Sequence, residues 1–122
     1  MPSPSRGRAG RLSAHFVASE FACPHCGVSV VRDDLVQLLE RVRSHVKKPL
    51  HIVSGYRCPV HNAAIGGAPN SQHMYGAAAD VASGLLTEPE ARSEGAVGIG
   101  TKGEWAIHVD VRDGPLVLWV YK

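Results

Sequence analysis

The stretch NSQHMYGAAADVA, residues 70–82, carries His73 and Asp80 on either side of a glycine and a run of alanines. Burying the charge of an aspartate after such a run is costly without a partner. Two readings are open: a surface accident, or two side chains that converge on one ligand. GAAADVAS reads as a buried strand whose alanines allow close packing against a neighbour. A second strand, WAIHVDVR, carries His108; period-two alternation puts His108 and Asp110 on one face, with Ile107 and Val109 on the other. His73, Asp80 and His108 then supply two imidazoles and one carboxylate, a set that suits zinc with its fourth position left to water. The competing reading is histidines that lie on the surface or are satisfied in the core.

Around these strands, DDLVQLLERVRSHV spaces Leu35, Leu38, Leu39, Val42 and Val46 along one helical face. Asp34 and Gln37 have the pattern of a capping box at its start, and Pro49 lies beyond its end. LHIVSGYR predicts a short strand, and PVHNAAIGG a short helix with Pro59 early and Gly66 as its stop. VGIGTKGEWAIHVDVR predicts a hairpin turning at Lys102-Gly103, and PLVLWVYK a last strand. Residues 84–95 show no clear element. Strands outnumber long helices, so the expected class is α+β, a small antiparallel sheet with flanking helices.

A chain of 122 residues predicts one domain with a modest core. With 44% hydrophobic and 20% charged residues, a disordered or fibrous protein is excluded. MPSPSRGRAGRLSA, residues 1–14, reads as a flexible tail, leaving 15–122 as the domain. The net charge is only +2, and Arg6, Arg8 and Arg11 carry much of the excess. This weak bias suits an anionic polymer such as a cell wall; nucleic acid is not expected, because no basic face with interleaved aromatics is present. The tail lacks the apolar run of a signal peptide, and no segment has the apolar length of a membrane span. The expectation is a soluble monomer made in the cytoplasm, without stable membrane insertion.

Seven histidines and three cysteines raise a separate question. Three cysteines cannot all pair with one another, and a reducing cytosol disfavours disulfides. CPHC supplies Cys23 and Cys26, and CPVH supplies Cys58 and His61 at the same spacing. Together they predict a structural zinc site of three thiolates and one imidazole. The alternative is Cys58 as a small buried hydrophobe and Cys23 with Cys26 as a reversible thiol couple. A thioredoxin-like couple needs a strand before it and a long helix after it, which Gly27 and VSVV do not provide.

SGYRCPVHNAAIGGAPNSQHMYGAAADVA followed by HVDVR resembles the zinc D-Ala-D-Ala carboxypeptidase family, whose fold is shared with peptidoglycan endopeptidases, phage endolysins and the metal-binding domain of hedgehog proteins. The family pattern Ser-x-His-x-x-Gly-x-Ala-x-Asp stands here as Ser71, His73, Gly76, Ala78 and Asp80. HFVASEFACPHCG also looks like the opening of small members, so the resemblance runs from about residue 16 to the end. It implies that His73, Asp80 and His108 hold zinc, which activates a water and polarises a scissile carbonyl. It further implies that Arg57 of SGYR contacts the peptide substrate or its carboxylate by a forked contact, a salt bridge being the alternative. Ser71 and Gln72 are candidates to orient peptide or ligands, or are turn residues that satisfy backbone.

The general base is where the sequence departs from the pattern. Many relatives carry an acidic residue three positions before the last zinc histidine, and here Trp105 stands there. Glu104 points to the other strand face unless a bulge re-aims it. Asp110 shares the ligand's face and is preferred, against the reading that it orients a ligand. Trp105, Trp119 and Tyr121 read as core aromatics, with a groove as the alternative. The resemblance implies a zinc peptidase cutting peptidoglycan stem peptides, as a carboxypeptidase or as an endolysin that acts on the wall after release. The rivals are a non-catalytic zinc module on the same fold and a thiol-redox protein.

Overall fold

The computed structural model describes residues 4–6 and 10–121. Helix α1 (Asp33–Val46) forms where the apolar period predicts it, and buries Leu35, Val36, Leu38, Leu39 and Val42. Its start differs from expectation. The helix begins one residue earlier than Asp34, with Arg32 at the cap and no side-chain capping bond. The Asp34 carboxylate instead accepts from the Arg32 guanidinium, at 3.0 and 2.7 Å, which competes with capping. Lys47 in the left-handed region ends the helix, its N–H donating to the Arg43 carbonyl at 2.9 Å.

The five-stranded sheet comprises β3 (Ile52–Ser54), β4 (Ala78–Val81), β5 (Gly98–Lys102), β6 (Trp105–Asp110) and β7 (Val117–Val120), in the order β3-β4-β6-β5-β7. The sheet is mixed rather than wholly antiparallel. β4 and β5 already occupy both edges of β6, so the chain returning from β6 cannot pair beside it; it takes the outer edge of β5 and runs parallel to it. The hairpin turn lies at Gly103 and Glu104, one residue later than expected, because Lys102 pairs with Trp105. A bulge follows in this hairpin: Gly100 and Thr101 of β5 pair with His108 and Ala106, which leaves Ile107 of β6 as the extra residue.

Register sorts the two sheet faces. Ala79, Val109 and Ile99 stand opposite one another across β4, β6 and β5, and all three belong to the core with α1 and Leu86. The residues on either side of that row face the other way. One such row is Asp80–His108–Gly100–Trp119 across four strands, and the other includes Ala78–Asp110–Gly98. The hydrophobic face holds the domain together, and the opposite face carries the polar residues.

Two short helices and a two-stranded ribbon also belong to the fold. α2 (Pro59–Ala64) is shorter than the predicted helix and is capped by Cys58, whose sulfur accepts from the His61 N–H. α3 (Glu88–Ser93) falls in the stretch without a predicted element; Thr87 and Glu90 form a full capping box there, with Pro89 in the first turn. That signal was present in TEPE. Of the segment expected as a tail, Pro4–Arg6 forms β1 and pairs with β2 (Val30–Arg32). Arg11 bridges Val17, Leu12 packs against the core, and Ser13 donates to Glu40. Residues 1–3 and 7–9 of that segment lie outside the described residues. Among the described residues no helix is long and apolar enough to cross a membrane.

Candidate metal centre

The strand register brings Asp80 and His108 side by side on adjacent strands. His73 arrives from a 3₁₀ turn, Gln72–Tyr75, which Ser71 caps: its hydroxyl accepts from the His73 N–H at 3.3 Å. Gly76 closes that turn at φ 68°, and a Cβ there would lie 2.5 Å from the Val30 carbonyl oxygen. The glycine of the motif is therefore fixed by backbone shape and close packing.

One ligand atom each from His73, Asp80 and His108 lie within 4.8 Å of one another. His73 Nε2 is 3.2 Å and His108 Nδ1 3.1 Å from the same oxygen, Asp80 Oδ1. The other nitrogen of each ring is engaged. His73 Nδ1–H donates to the Gly55 carbonyl at 2.7 Å, and His108 Nε2–H to Asp110 Oδ2 at 2.8 Å. With those protons placed, each neutral ring turns a lone pair toward an anionic oxygen. His73 Nε2 is buried without a hydrogen-bond partner. Two lone pairs and a carboxylate facing each other call for a cation, and two imidazoles plus one carboxylate leave the open coordination position of a catalytic zinc. The donors fit the ion.

The charges follow from this packing. Burial opposes ionisation of Asp80, but the His108 and His73 rings at its oxygen outweigh it when they carry the positive charge themselves, and hold the carboxyl far below its usual range. Burial pushes His108 down, yet Asp110 and Asp80 leave it raised. Asp110, with no exposed surface, is kept ionised against burial by His108 and by Arg112, whose guanidinium donates at 2.7 Å. Both Asp110 oxygens are thus committed. The residue read as the preferred base sits beneath His108 and orients it, as outer partners of metal-bound histidines do. Glu104 lies exposed in the β5–β6 turn, away from His108, so the bulge does not aim it at the centre.

A cleft of about 260 Å³ opens over the two histidines, between Arg57, Ser71 and Gln72 on one side and Arg112, Trp119 and Tyr121 on the other. Arg57 leans on the outer oxygen of Asp80 at 3.5 Å and on Asn62 at 3.2 Å. Trp119 lies over the His108 ring at 4.8 Å, and Arg112 stacks on Trp119 at 5.3 Å. Trp119 and Tyr121 therefore wall the cleft instead of filling the core. Trp105 is not among the residues that line it. Gly100, opposite His108, makes this possible: a Cβ there would lie 2.6 Å from Trp119 Nε1 and 2.7 Å from the Tyr121 ring. Two glycines inside one strand, in VGIG, are the sequence signal for such an approach.

The cysteines meet elsewhere. The sulfurs of Cys23, Cys26 and Cys58 lie within 4.8 Å of one another, Cys23 buried and Cys26 exposed. The His61 imidazole does not join this group; its backbone N–H donates to Cys58 Sγ instead, at 3.5 Å. The imidazole beside the sulfurs is His25, with Nδ1 3.6 Å from Cys58 Sγ. Burial raises the Cys23 thiol, but the N–H groups of Cys58, Cys26 and His25 prevail and lower it to about 7.

No curated protein matches the chain in a direct sequence comparison. The model of the peptidase M15 family matches residues 14–110, which include both histidines and the aspartate of the centre. M15 peptidases are zinc-dependent, in agreement with the donor set. With most of its length covered and the His-Asp-His centre in place, the chain belongs to the peptidase M15 family.

Proposed function

We propose that the protein is a zinc peptidase that hydrolyses peptidoglycan stem peptides, as a D-Ala-D-Ala carboxypeptidase or an endolysin-type endopeptidase acting on the wall after release from the cell that makes it. The observation that carries this reading is the centre itself, where His73, Asp80 and His108 turn three donor atoms to one point at the floor of a cleft. Zinc held there supplies Lewis acidity, which polarises a peptide carbonyl and makes water a better nucleophile. The chain supplies the rest. Asp110 fixes the His108 ring, and the Gly55 carbonyl fixes His73, so neither ligand has to reorganise.

Arg57 and Arg112 flank the opening, and a second depression of about 420 Å³, lined by Arg57, Lys102 and Tyr121, continues past Asp80. Arg57, Arg112 and Lys102 along two neighbouring depressions suit a peptide that carries free carboxylates, which guanidinium groups grip in forked pairs. Ser71 and Gln72 line the same cleft while also shaping the turn that carries His73.

Apart from the ligand Asp80 at its floor, the cleft is lined by two arginines and by neither glutamate nor aspartate, which favours as second reading a zinc module that binds without cutting. Hydrolysis of purified peptidoglycan by wild type and His108→Ala separates the two. The peptidase reading expects soluble peptide or D-alanine released by the zinc-loaded wild type alone. Zinc bound at the centre with no release of either product selects the module.

A further inference from the structure

We propose that Cys23, Cys26 and Cys58, with the His25 imidazole as fourth donor, form a second metal site that binds a structural zinc ion. The proposal is independent of what the His-Asp-His centre does.

Three sulfurs from two separate segments converge within 4.8 Å, and none is in a disulfide. Tetrahedral zinc with Zn–S near 2.3 Å places its sulfurs about 3.8 Å apart, so closing on the ion asks for movements of about 1 Å or less. The surroundings are arranged for thiolates. Cys23 Sγ accepts from the Cys58 N–H and Cys58 Sγ from the His61 N–H, both at 3.5 Å, and the backbone N–H groups of His25 and Cys26 also favour the Cys23 thiolate. Backbone N–H groups aimed at Cys23 and Cys58 are outer partners of the kind a thiolate site needs. The Cys23–Cys26 turn is closed on itself as well: the Gly27 N–H donates to the Cys23 carbonyl and the Cys23 N–H to the Val28 carbonyl, both at 2.8 Å.

His25 is the donor in reach. Its Nδ1 stands 3.6 Å from Cys58 Sγ, and the side chain is exposed and free to swing over the sulfurs. Neither histidine ring lies within 4.8 Å of all three sulfurs, but His25 already brings a ring nitrogen to Cys58, whereas His61 spends its backbone N–H there. Binding releases the thiol protons to solvent and changes no oxidation state.

The site would also brace the cleft. Cys58 follows Arg57, and the Tyr56 N–H donates to the Phe21 carbonyl at 2.8 Å, so the ion would staple the N-terminal loop to the segment that holds Gly55 and Arg57. Gly55 carries the carbonyl that orients His73.

The test is metal content and cobalt spectroscopy on the full chain. We expect two zinc ions per chain in the wild type and one in His73→Ala/His108→Ala. Cobalt should give intense thiolate charge-transfer absorption in both proteins, and Cys26→Ser/Cys58→Ser should lose it. His25→Ala should lose cobalt from the sulfurs, and His61→Ala should retain it. Should the cysteine variant fail to fold, thiol reactivity of the wild type reads the site directly: zinc should protect the thiols from an aromatic disulfide reagent. The proposal is overturned by a single zinc that the double histidine variant loses, by absent charge-transfer absorption, or by thiols that react equally fast with and without zinc. Metal loss in His61→Ala but not in His25→Ala overturns the fourth donor. A thiolate-bound metal in a protein that cuts no peptidoglycan would leave this site standing and sink the peptidase reading.

Discussion

His73, Asp80 and His108 lie against the face of a five-stranded sheet, whereas Cys23, Cys26 and Cys58 sit where two loops meet near the surface. The first cluster is shaped before any ion arrives. His73 and His108 are 2% and 5% exposed, and each ring is locked by a bond on its far nitrogen. The second is shaped by turns and backbone N–H groups, with Cys26 and His25 open to solvent. A sheet-built centre holds its geometry through the core, as reactive centres on rigid elements do. A loop-built cluster draws order from the ion it binds.

The largest expected effect strikes the sheet-built centre at a ligand. His108→Ala should abolish peptide hydrolysis and remove the ion from the centre while circular dichroism shows the fold intact. Retention of metal by that variant, seen by metal analysis, would break the comparison at its root. Asp110→Asn tests the layer beneath. Loss of an outer partner costs about 10–100-fold in metal affinity, which competition with a chromogenic chelator will read. The thiolate–cobalt absorption should not change in Asp110→Asn, because Asp110 is bonded to His108 and Arg112.

Gly100→Ala asks whether the register row is as tight as it looks. The new methyl must displace Trp119 and Tyr121, and overpacking of this kind costs about 1–3 kcal/mol, measurable as a lower urea midpoint. Trp119 should leave the His108 ring, with a changed tryptophan emission. An unchanged midpoint and emission would show that the aromatics have room to yield.

The smallest effect belongs to the loop side. Glu40 on α1 ties the segment leading into the cysteine turn, accepting from Ser13 Oγ and from the His15 N–H at 2.8 Å. Burial raises its carboxyl, but the bonds from Ser13 and His15 together prevail and lower it. A lowered folded-state value means the tie adds stability above the ordinary glutamate range near pH ~4.3 and loses it as pH falls further. Glu40→Gln should therefore cost less than about 1 kcal/mol at neutral pH, with the difference from wild type vanishing in acid. A larger loss would mean that the loop is held more rigidly than its surface ties allow.

Much of this was legible in local patterns. The apolar period of Leu35, Leu38, Leu39 and Val42 gives α1, and the alternation in WAIHVDVR puts His108 and Asp110 on one face. The His73–Asp80 spacing, read together with its glycine, points to a shared ion. Fainter signals lie in the Thr87–Glu90 capping box and the two glycines of VGIG. The role of Asp110 was not legible, because a strand pattern gives the face of a carboxylate but not its burial or its arginine. His25 was hidden for a similar reason: equal spacing in CPHC and CPVH favours His61, while His25 meets Cys58 only where the two loops pack together.

By itself the sequence determined the periodic elements, the donor types and the family, since these rest on propensity, alternation and spacing along one chain. Tertiary structure alone decided that β7 joins β5 in parallel, that Asp80 faces His108, that Trp119 crosses Gly100 to cover the centre, and that Asp110 supports a ligand from beneath. Each of these depends on contacts between residues far apart in the chain, where the free edge of a strand and the space left by a missing side chain set the outcome.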